Sequence, residues 1–372
     1  MMFDIVIIGS GISGTSFAYK VSKYAKTLLL DDKDGKSFPI TTNLFPEHNR
    51  PFLEDVEYKN KSIFPCIHNK FNYMSKEHNG IIDSKDFGAP FGEICYLENL
   101  LKFLLQKLED QGGIIKYNEK VLKIQRDSQK IEVFTNNGQM YTGKLLAIAT
   151  GSHGFDLQRS LGFEIPETYK WVYTHLYGDE DKLNDNMEFN YIFHLNSKIS
   201  QNGPFFINKG LNRMLAGFLV KKEDSNEQNS SKFDRILNNY KVIQPYIKGL
   251  KRDSTKPIVA EISKAPIKNF SKDRIIILGE AAGLVTAFFY EGILGGLVSA
   301  EVASKIIKTL LKENSNFTQS ELYKYDQEIN RILIRNYFKT QQASEILFYH
   351  SGSKLDILWE IYTEFKNKSD NS

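Results

Sequence analysis

The N-terminal stretch FDIVIIGSGISG, residues 3–14, decides the fold of this chain. Its first six residues are almost all apolar, which is typical of a strand buried in a parallel sheet. Three glycines follow at once, and apolar residues then recur at helical spacing over 15–23. TLLL at 27–30 predicts a second buried strand, so the chain opens with a strand, a helix and a strand.

The glycine spacing predicts a turn that binds a dinucleotide. Gly9 permits a tight turn, Gly11 lets a pyrophosphate approach the backbone, and Gly14 lets the helix lie close to the strand. The bare start of the helix, at Ile12 and Ser13, offers N–H groups and the positive end of the helix dipole to phosphates.

An acidic residue near the end of the second strand completes this pattern. Asp31 stands 22 positions after Gly9, where a carboxylate is expected to hold ribose hydroxyls, and Asp32 is the alternative. Strand, glycines, helix, strand and acid in this order favour a dinucleotide-binding fold over a turn that serves packing alone.

A second glycine turn follows another short apolar run late in the chain. RIIIL at 274–278 predicts a strand, and Gly279, Glu280 and Gly283 belong to the GEAAG turn that comes next. Glu280 offers a carboxylate to sugar-like hydroxyls. Gly292 and Ile293 then open a long helix, whose positive end is suited to the electron-rich edge of a flavin ring.

Composition excludes several function classes. The chain has 372 residues, 48 basic and 45 acidic, and its net charge of +3 gives no reason to expect a nucleic-acid partner. Its two cysteines, Cys66 and Cys95, predict no metal centre, and no secretory leader is evident, so a reduced cytoplasmic protein is expected. The apolar stretch 281–300 is interrupted by Glu291 and four glycines, which predicts a buried loop and helix rather than a membrane span.

Together the two turns resemble those of the flavoproteins that include geranylgeranyl reductases and p-hydroxybenzoate-hydroxylase-like enzymes. The second fingerprint of that family reads GDAAG…P…GEGI, and this chain has GEAAGLVTAFFYEGI at 279–293. Glu280 replaces the usual Asp, Ala287 the usual Pro and Tyr290 the usual Gly. Thr150-Gly151 stands where the hydroxylases have Asp-Gly, which weakens the resemblance to monooxygenases.

The resemblance implies a FAD-dependent oxidoreductase. By residue, it implies that the ADP half of FAD is bound near the first turn, that Glu280 lies on the ribityl chain and that Gly292 and Ile293 lie beside the flavin ring. The expected cofactor-binding residues are Gly9, Gly11, Ile12, Ser13, Gly14, Asp31, Asp32, Gly151, Gly279, Glu280, Gly292 and Ile293.

The predicted fold class is α/β, with a doubly wound, Rossmann-type FAD-binding domain interleaved with an antiparallel-sheet substrate domain. The predicted ranges are 1–165 and 257–312 for FAD, with 33–95 partly on the substrate side, 166–256 for the substrate sheet, 313–366 for C-terminal helices and 367–372 for a disordered tail. Within them, separate strands are expected at 139–142 and 145–149, a polar loop at 223–232 and a helix at 233–248.

Candidates for catalysis are few, because no Ser/His/Asp set or metal spacing is present. Tyr290 and Glu291, just before the flavin-side helix, are the acid or base candidates, and Glu291 is equally suited to cap that helix. His153 is a further residue to test. Aromatic residues of the second domain either wall an apolar substrate pocket or pack a sheet core: Tyr169, Trp171, Tyr173, Phe205 and Phe206.

The predicted activity is the saturation of an apolar, isoprenoid-like substrate with hydride from reduced flavin. The alternatives are a flavin monooxygenase of aromatic or alkene substrates, and a non-redox flavoprotein such as a carotenoid-cyclase-like isomerase or one that keeps FAD only as structure. FAD is the expected cofactor. The chain has no second complete GxGxxG, so electrons are expected from transient NAD(P)H or a ferredoxin-like donor. The expected partner is an apolar small molecule or lipid, with at most peripheral membrane contact.

Overall fold

The computed structural model describes most of the chain up to residue 346. The described residues are 1–35, 40–44, 46–57, 60–68, 70–74, 79–86, 92–188, 191–194, 196, 199–200, 202–339, 342–343 and 346. The predicted disordered tail at 367–372 lies outside them, as does the end of the segment 313–366.

A parallel sheet forms the first half of the molecule. Its strands lie side by side in the order Ser271–Lys272, Ile275–Ile277, Met140–Ile148, Met2–Ile8, Thr27–Leu30 and Ile114–Lys116. Neighbouring strands are parallel except Ser271–Lys272, which is antiparallel to Ile275–Ile277. The hairpin of Val121–Arg126 and Ile131–Thr135 extends the sheet from Met140–Ile148. Buried Ile, Leu and Val side chains on both faces of the central strands form the core, as their almost entirely apolar runs predict.

Met140–Ile148 is one strand, which corrects the prediction of two strands at 139–142 and 145–149. Its first half pairs with the hairpin partner Ile131–Thr135, and its second half pairs with the central strand Met2–Ile8. A polar residue at this point of the sequence separates the mostly half-exposed first part of the strand from its second part, which is buried in the core.

An antiparallel sheet forms the second half. Its strands run in the order Lys251–Arg252, Thr168–Tyr177, Arg213–Lys221, Phe205–Lys209, Tyr191–His194, Lys70–Met74 and Asn79–Asp83. Ile258–Ser263 also pairs with Thr168–Tyr177, so the segment 257–312 contributes to both sheets. Only the contact of Tyr191–His194 with Lys70–Met74 is parallel among the strands described in this sheet. A third, small sheet contains Thr41–Leu44, Gly92–Tyr96 and Cys66–His68.

Helices cover the parallel sheet and form the last part of the chain that the structure describes. Ile12–Ser22 packs against Leu97–Asp110 and Ile293–Lys312, and Gln319–Ile329 packs on Ile293–Lys312 and leads into a π-helix at Asn330–Phe338. The shorter helices are Pro46–Asn49, Phe155–Ser160, Glu180–Asn186 and Gln244–Ile247, with 3₁₀ turns at Arg50–Phe52, Ser84–Asp86, Gly151–His153 and Gly279–Ala282. The α/β class and the two interleaved sheets are therefore confirmed.

The helix Asn226–Asn239 corrects two further expectations. Residues 223–232 are not a loop throughout, because the helix begins at Asn226 with Ser225 as its N-cap, whose side chain accepts a hydrogen bond from the amide of Gln228. The helix expected at 233–248 ends at Asn239, and a separate short turn of helix follows.

The apolar stretch 281–300 is a buried loop followed by the start of Ile293–Lys312, as predicted. Within the described residues, none of the helices combines the length and apolar character needed to cross a bilayer.

Candidate functional site

Four of the predicted cofactor-binding residues lie at one edge of the parallel sheet. Ile8 lies opposite Leu30 and Ile148, and Ile148 lies opposite Ile277, so four strands end together at this edge. Gly9, Asp31, Gly151 and Gly279 follow these strand ends within one to three residues. Ligands of open α/β sheets bind at the carboxyl ends of the strands, and the candidate site is therefore this edge.

The first glycine turn is closed by contacts that only glycine allows. Gly9 has φ +101°, and an added β-carbon there would stand 2.4 Å from the carbonyl oxygen of Ala149. A β-carbon on Gly14 would stand 1.9 Å from the carbonyl oxygen of Gly9. Gly11 differs, because nothing lies within 4 Å of a β-carbon placed there. Gly9 and Gly14 therefore allow the close packing of the turn, and Gly11 leaves open space in front of it.

The helix that follows presents an uncapped N-terminus to this open space. Gly11 is the N-cap of Ile12–Ser22 with no side-chain cap, and the first turn carries no acidic residue. Unpaired backbone N–H groups and the positive helix end favour an anion here. The arrangement is suited to a pyrophosphate.

Asp31 lies at the predicted position but is engaged with the turn itself. Its Oδ2 accepts hydrogen bonds from the amide and the hydroxyl of Ser10, each at 2.6 Å, and its Oδ1 accepts one from the amide of Lys33 at 2.8 Å. Asp31 is buried and Asp32 is exposed. Asp31 therefore shapes the glycine turn in addition to any contact with a ribose.

The second glycine turn touches the first. Gly279 has φ +57°, and a β-carbon there would stand 1.8 Å from Oγ of Ser13. On the other side the amide of Gly279 donates to Oγ of Ser299 at 3.0 Å. A β-carbon on Gly296 would also crowd Ser13, at 2.7 Å from its Oγ. Two turns more than 260 residues apart in the sequence thus form one continuous backbone surface.

Glu280 projects beside Gly151 at the same edge. Its Oε1 accepts a hydrogen bond from the amide of Ser263 at 3.1 Å, and its Oε2 would lie 3.7 Å from a β-carbon on Gly151. Desolvation raises the pKa of Glu280 to about 7, although the bond from Ser263 lowers it. Burial therefore shifts the titration of this carboxyl group from its ordinary range toward neutral pH.

Glu291 caps the helix that was expected to face a flavin. Its Oε1 accepts hydrogen bonds from the amides of Ile293 and Leu294, at 2.6 and 3.1 Å, and Gly292 is the N-cap residue. Burial raises the pKa of Glu291 to about 7 against the effect of these amides. The first amides of this helix therefore face the chain's own carboxylate, and their predicted contact with a flavin ring stays a prediction.

Tyr290 adopts a left-handed backbone conformation that a glycine would adopt without cost. Its φ is +51°, and it is one of five non-glycine residues with positive φ among those described. The ring is buried and packs edge-on to Tyr169, with a centroid distance of 5.7 Å. The strained backbone directs this side chain against the antiparallel sheet.

A cleft of about 630 Å³, including the solvent at its mouth, lies between Tyr290 and the antiparallel sheet. Its lining is Ile40, Thr41, Thr42, Asn43, Trp171, Tyr191, Phe206, Asn208, Leu215, Leu219, Ile262, Phe289, Tyr290 and Glu291. Trp171 stacks on Tyr173 at 4.0 Å and lies near Phe206 at 6.0 Å, so aromatic rings form one wall.

The aromatic residues fulfil both roles that the sequence left open. Trp171 and Phe206 line the cleft, whereas Phe205 is fully buried in the core of the sheet. His153 is exposed at the surface. Sequence reasoning missed Asn43 and Asn208, which line the cleft from two different sheets. Asn208 has only the weak signal of a polar residue after the apolar run 205–207, and Asn43 has none, because its strand Thr41–Leu44 is itself mostly polar.

Solved structures with a similar fold include flavoproteins. A geranylgeranyl bacteriochlorophyll reductase-like protein from Thermoplasma acidophilum has a TM-score of 0.77 at 16% identity, over 95% of this chain and 87% of that chain. The p-nitrophenol 4-monooxygenase of Pseudomonas putida has a TM-score of 0.73 at 16% identity, over 98% of both chains. This chain has the flavoprotein fold.

Curated relatives of this flavoprotein-fold chain are distant. A digeranylgeranylglycerophospholipid reductase from Methanococcus vannielii is 24% identical over 337 residues, which are 87% of this chain and 81% of that protein. A neoxanthin synthase from Solanum lycopersicum is 25% identical over 167 residues, 44% of this chain. The chain covers 31% of the length of that protein, about a third. No protein-family model matches the sequence.

Proposed function

We propose that the protein is a FAD-dependent oxidoreductase that saturates a double bond of an apolar substrate held in the aromatic cleft. The observation that carries the proposal is the contact of the two glycine turns, Gly279 against Ser13, at the carboxyl edge of the parallel sheet. The segment that leaves the second turn ends at Tyr290 and Glu291, which line the cleft. The site for a dinucleotide and the site for a substrate thus share one segment of chain.

The first turn fits the ADP half of FAD. Gly11 leaves open space, the helix Ile12–Ser22 has an uncapped N-terminus, and Asp31 follows the neighbouring strand. The backbone amides of Ile12 and Ser13 would bind the pyrophosphate, because no acidic side chain opposes it in the first helical turn. At the second turn, Glu280 and Gly151 would flank the ribityl chain.

When bound and reduced, FAD supplies a hydride equivalent. The saturation of a double bond also needs a proton, and the chain must hold that proton at the cleft. The Glu291 carboxyl is suited to this because its pKa is raised to about 7 and it lines the cleft. The Tyr290 hydroxyl is the second candidate. Trp171, Phe206 and Leu219 would orient the substrate and exclude water.

Oxygen chemistry is the second candidate function. The observation that favours it is the similarity of the fold to that of a monooxygenase over nearly its whole length. A non-redox isomerase is the third candidate. The family resemblance and the near-full-length relative named as a reductase support the reductase over both.

One experiment separates these functions. The purified protein is loaded with FAD, reduced anaerobically with dithionite and mixed with candidate apolar alkenes, and the products are analysed by mass spectrometry. A product that gains two hydrogens without oxygen supports the reductase. A product that gains one oxygen atom, formed only in air, supports the monooxygenase. A product of unchanged mass that needs no electron donor contradicts both redox functions.

A further inference from the structure

The strand Ile258–Ser263 links the two halves of the candidate site. It pairs with Thr168–Tyr177 and so belongs to the antiparallel sheet, whereas its last residue contacts the second glycine turn at Glu280. We propose that Ser263 is a positioning residue, which holds the Glu280 carboxyl group where it can bind FAD. The inference rests on the proposed function in taking this sheet edge as the FAD site. It adds the residue that ties the cofactor contact to the substrate sheet.

Ser263 makes two hydrogen bonds to Glu280. Its backbone amide donates to Oε1 of the carboxyl group at 3.1 Å, and its hydroxyl donates to the backbone carbonyl oxygen of Glu280 at 2.9 Å. Ser263 has no exposed surface, so both bonds are shielded from competing water. One residue therefore fixes the Glu280 side chain at both ends, at the main chain from which it projects and at its tip.

The second carboxyl oxygen of Glu280 is left for another partner. Within the described part of the chain, the Glu280 carboxyl group accepts a hydrogen bond from Ser263 alone, and this bond is made by Oε1. Oε2 lies on the side of Gly151, 3.7 Å from the position of a β-carbon on that glycine. Glu280 as a whole is only half-buried. A carboxyl oxygen in this position is suited to accept a hydrogen bond from a hydroxyl of the ribityl chain.

The turn itself does not fix Glu280 relative to the substrate sheet. The amide of Gly283 also donates to the carbonyl oxygen of Glu280, at 2.9 Å, but this bond lies within the turn that begins at Gly279. Ser263 makes its bonds from a different sheet. The position of the carboxyl group relative to the antiparallel sheet therefore depends on Ser263.

The same strand contributes to the cleft through the neighbouring residue. Ile262 lines the cleft, and it directly precedes Ser263. Successive side chains of a strand point to opposite faces. Ile262 is therefore directed to the substrate side of the strand, while Ser263 is directed to the cofactor turn, as its bonds to Glu280 require.

Thr168 provides a matched control for a hydroxyl that serves the sheet alone. It is buried, and it lies opposite Ser263 on the neighbouring strand. Its Oγ1 donates to Oε2 of Glu261 at 3.0 Å, so this bond is directed to Glu261 rather than to Glu280. Thr168→Val and Ser263→Ala each remove one buried hydroxyl from the same two strands. Only Ser263→Ala removes a bond to the cofactor turn.

Fluorescence titration of the full chain with FAD tests the proposal without any turnover. We expect Ser263→Ala to bind FAD about 3- to 10-fold more weakly than the wild type, as for the loss of one net hydrogen bond, and Thr168→Val to bind it as the wild type does. In a Glu280→Ala background Ser263→Ala should cause no further loss, because no carboxyl group remains to be positioned. Ser263→Thr keeps the hydroxyl and should bind FAD more tightly than Ser263→Ala. Circular dichroism verifies the folding of each variant.

The proposal is overturned if Ser263→Ala binds FAD as the wild type does, if Thr168→Val loses as much affinity, or if Ser263→Ala weakens binding equally with and without the Glu280 carboxyl group. The wild-type titration reports the proposed function separately. A wild type that binds FAD, with no effect of Ser263→Ala, would refute the role of Ser263 and leave the oxidoreductase standing. A wild type that binds no FAD would refute the proposed cofactor and this role together.

Discussion

Gly279 lies directly against Ser13, so that a single β-carbon on Gly279 would stand 1.8 Å from the serine Oγ. The contact joins the turn after Ile275–Ile277 to the helix Ile12–Ser22. It also fixes the position of both turns relative to the sheet edge at which Asp31 and Gly151 lie. The candidate cofactor site therefore depends on the absence of a side chain at one residue.

Gly279→Ala should destabilise the fold. The new methyl group would collide with Ser13, and the left-handed φ of +57° would add strain of about 1–3 kcal/mol. Gly292→Ala is the matched control, because a β-carbon there would be 3.5 Å from Val285, an ordinary contact. Urea unfolding of both variants measures the difference. Equal stability of the two variants would contradict the contact.

The raised pKa of Glu280 predicts how stability changes with pH. In the folded protein this carboxyl keeps its proton up to about pH 7, whereas the unfolded chain releases it near the ordinary value of 4.5. The folded state binds more protons between these values, so its contribution to stability is present below about pH 4.5 and is lost as the pH rises to about 7. Glu280→Gln should make unfolding free energy depend less on pH over this range, while the exposed Glu54→Gln should not. Unchanged pH dependence in Glu280→Gln would refute the shift.

If Glu291 donates the proton to the substrate, turnover should depend on the pH near neutrality. Because its pKa is raised to about 7, the protonated form declines above neutral pH, and kcat should fall as the pH rises through about 7. Glu291→Gln keeps an oxygen that can cap the helix but has no proton to give. The steady-state pH profile of this variant should be lower and flat near neutral pH. A Glu291→Gln profile that still falls at pH 7 would assign the proton to another group.

Two substitutions at Tyr290 separate its hydroxyl from its ring. Tyr290→Phe keeps the ring against Tyr169 and should leave the free energy of unfolding within about 1 kcal/mol of the wild type. Tyr290→Gly relieves the left-handed backbone, worth about 1–2 kcal/mol, but loses the burial of a large ring, worth about 3–5 kcal/mol. Denaturant unfolding should therefore show Tyr290→Gly to be the less stable variant. A stabilised Tyr290→Gly would mean that the strain outweighs the packing.

The parallel half of the fold could be predicted because its signals are local. Short, almost entirely apolar runs at 3–8, 27–30 and 274–278 are typical of buried strands, and the glycines mark where the strands end. The shared edge at which Gly9 and Gly279 both lie then follows from the direction of parallel strands.

The parts that the sequence did not predict depend on contacts between distant segments. Residues 223–232 have no apolar face strong enough to predict a helix, and Ser225, which caps Asn226–Asn239, was a weak signal among many polar residues. The first half of the strand Met140–Ile148 pairs with a hairpin strand and the second half with the central strand of the sheet. Its pattern of apolar residues therefore changes half-way along. Asn43 and Asn208 come together only because the small sheet packs on the antiparallel one.

Titration of the protein with FAD tests the central claim, that both glycine turns bind one FAD, most directly. Visible absorbance after gel filtration should show one FAD retained per chain by the wild type. Gly11→Ala, which has room for the methyl group in the protein itself, should fold normally and bind FAD much more weakly, because the methyl group occupies the space expected for the pyrophosphate. A colourless wild-type protein, or a Gly11→Ala variant that retains FAD as the wild type does, would contradict it.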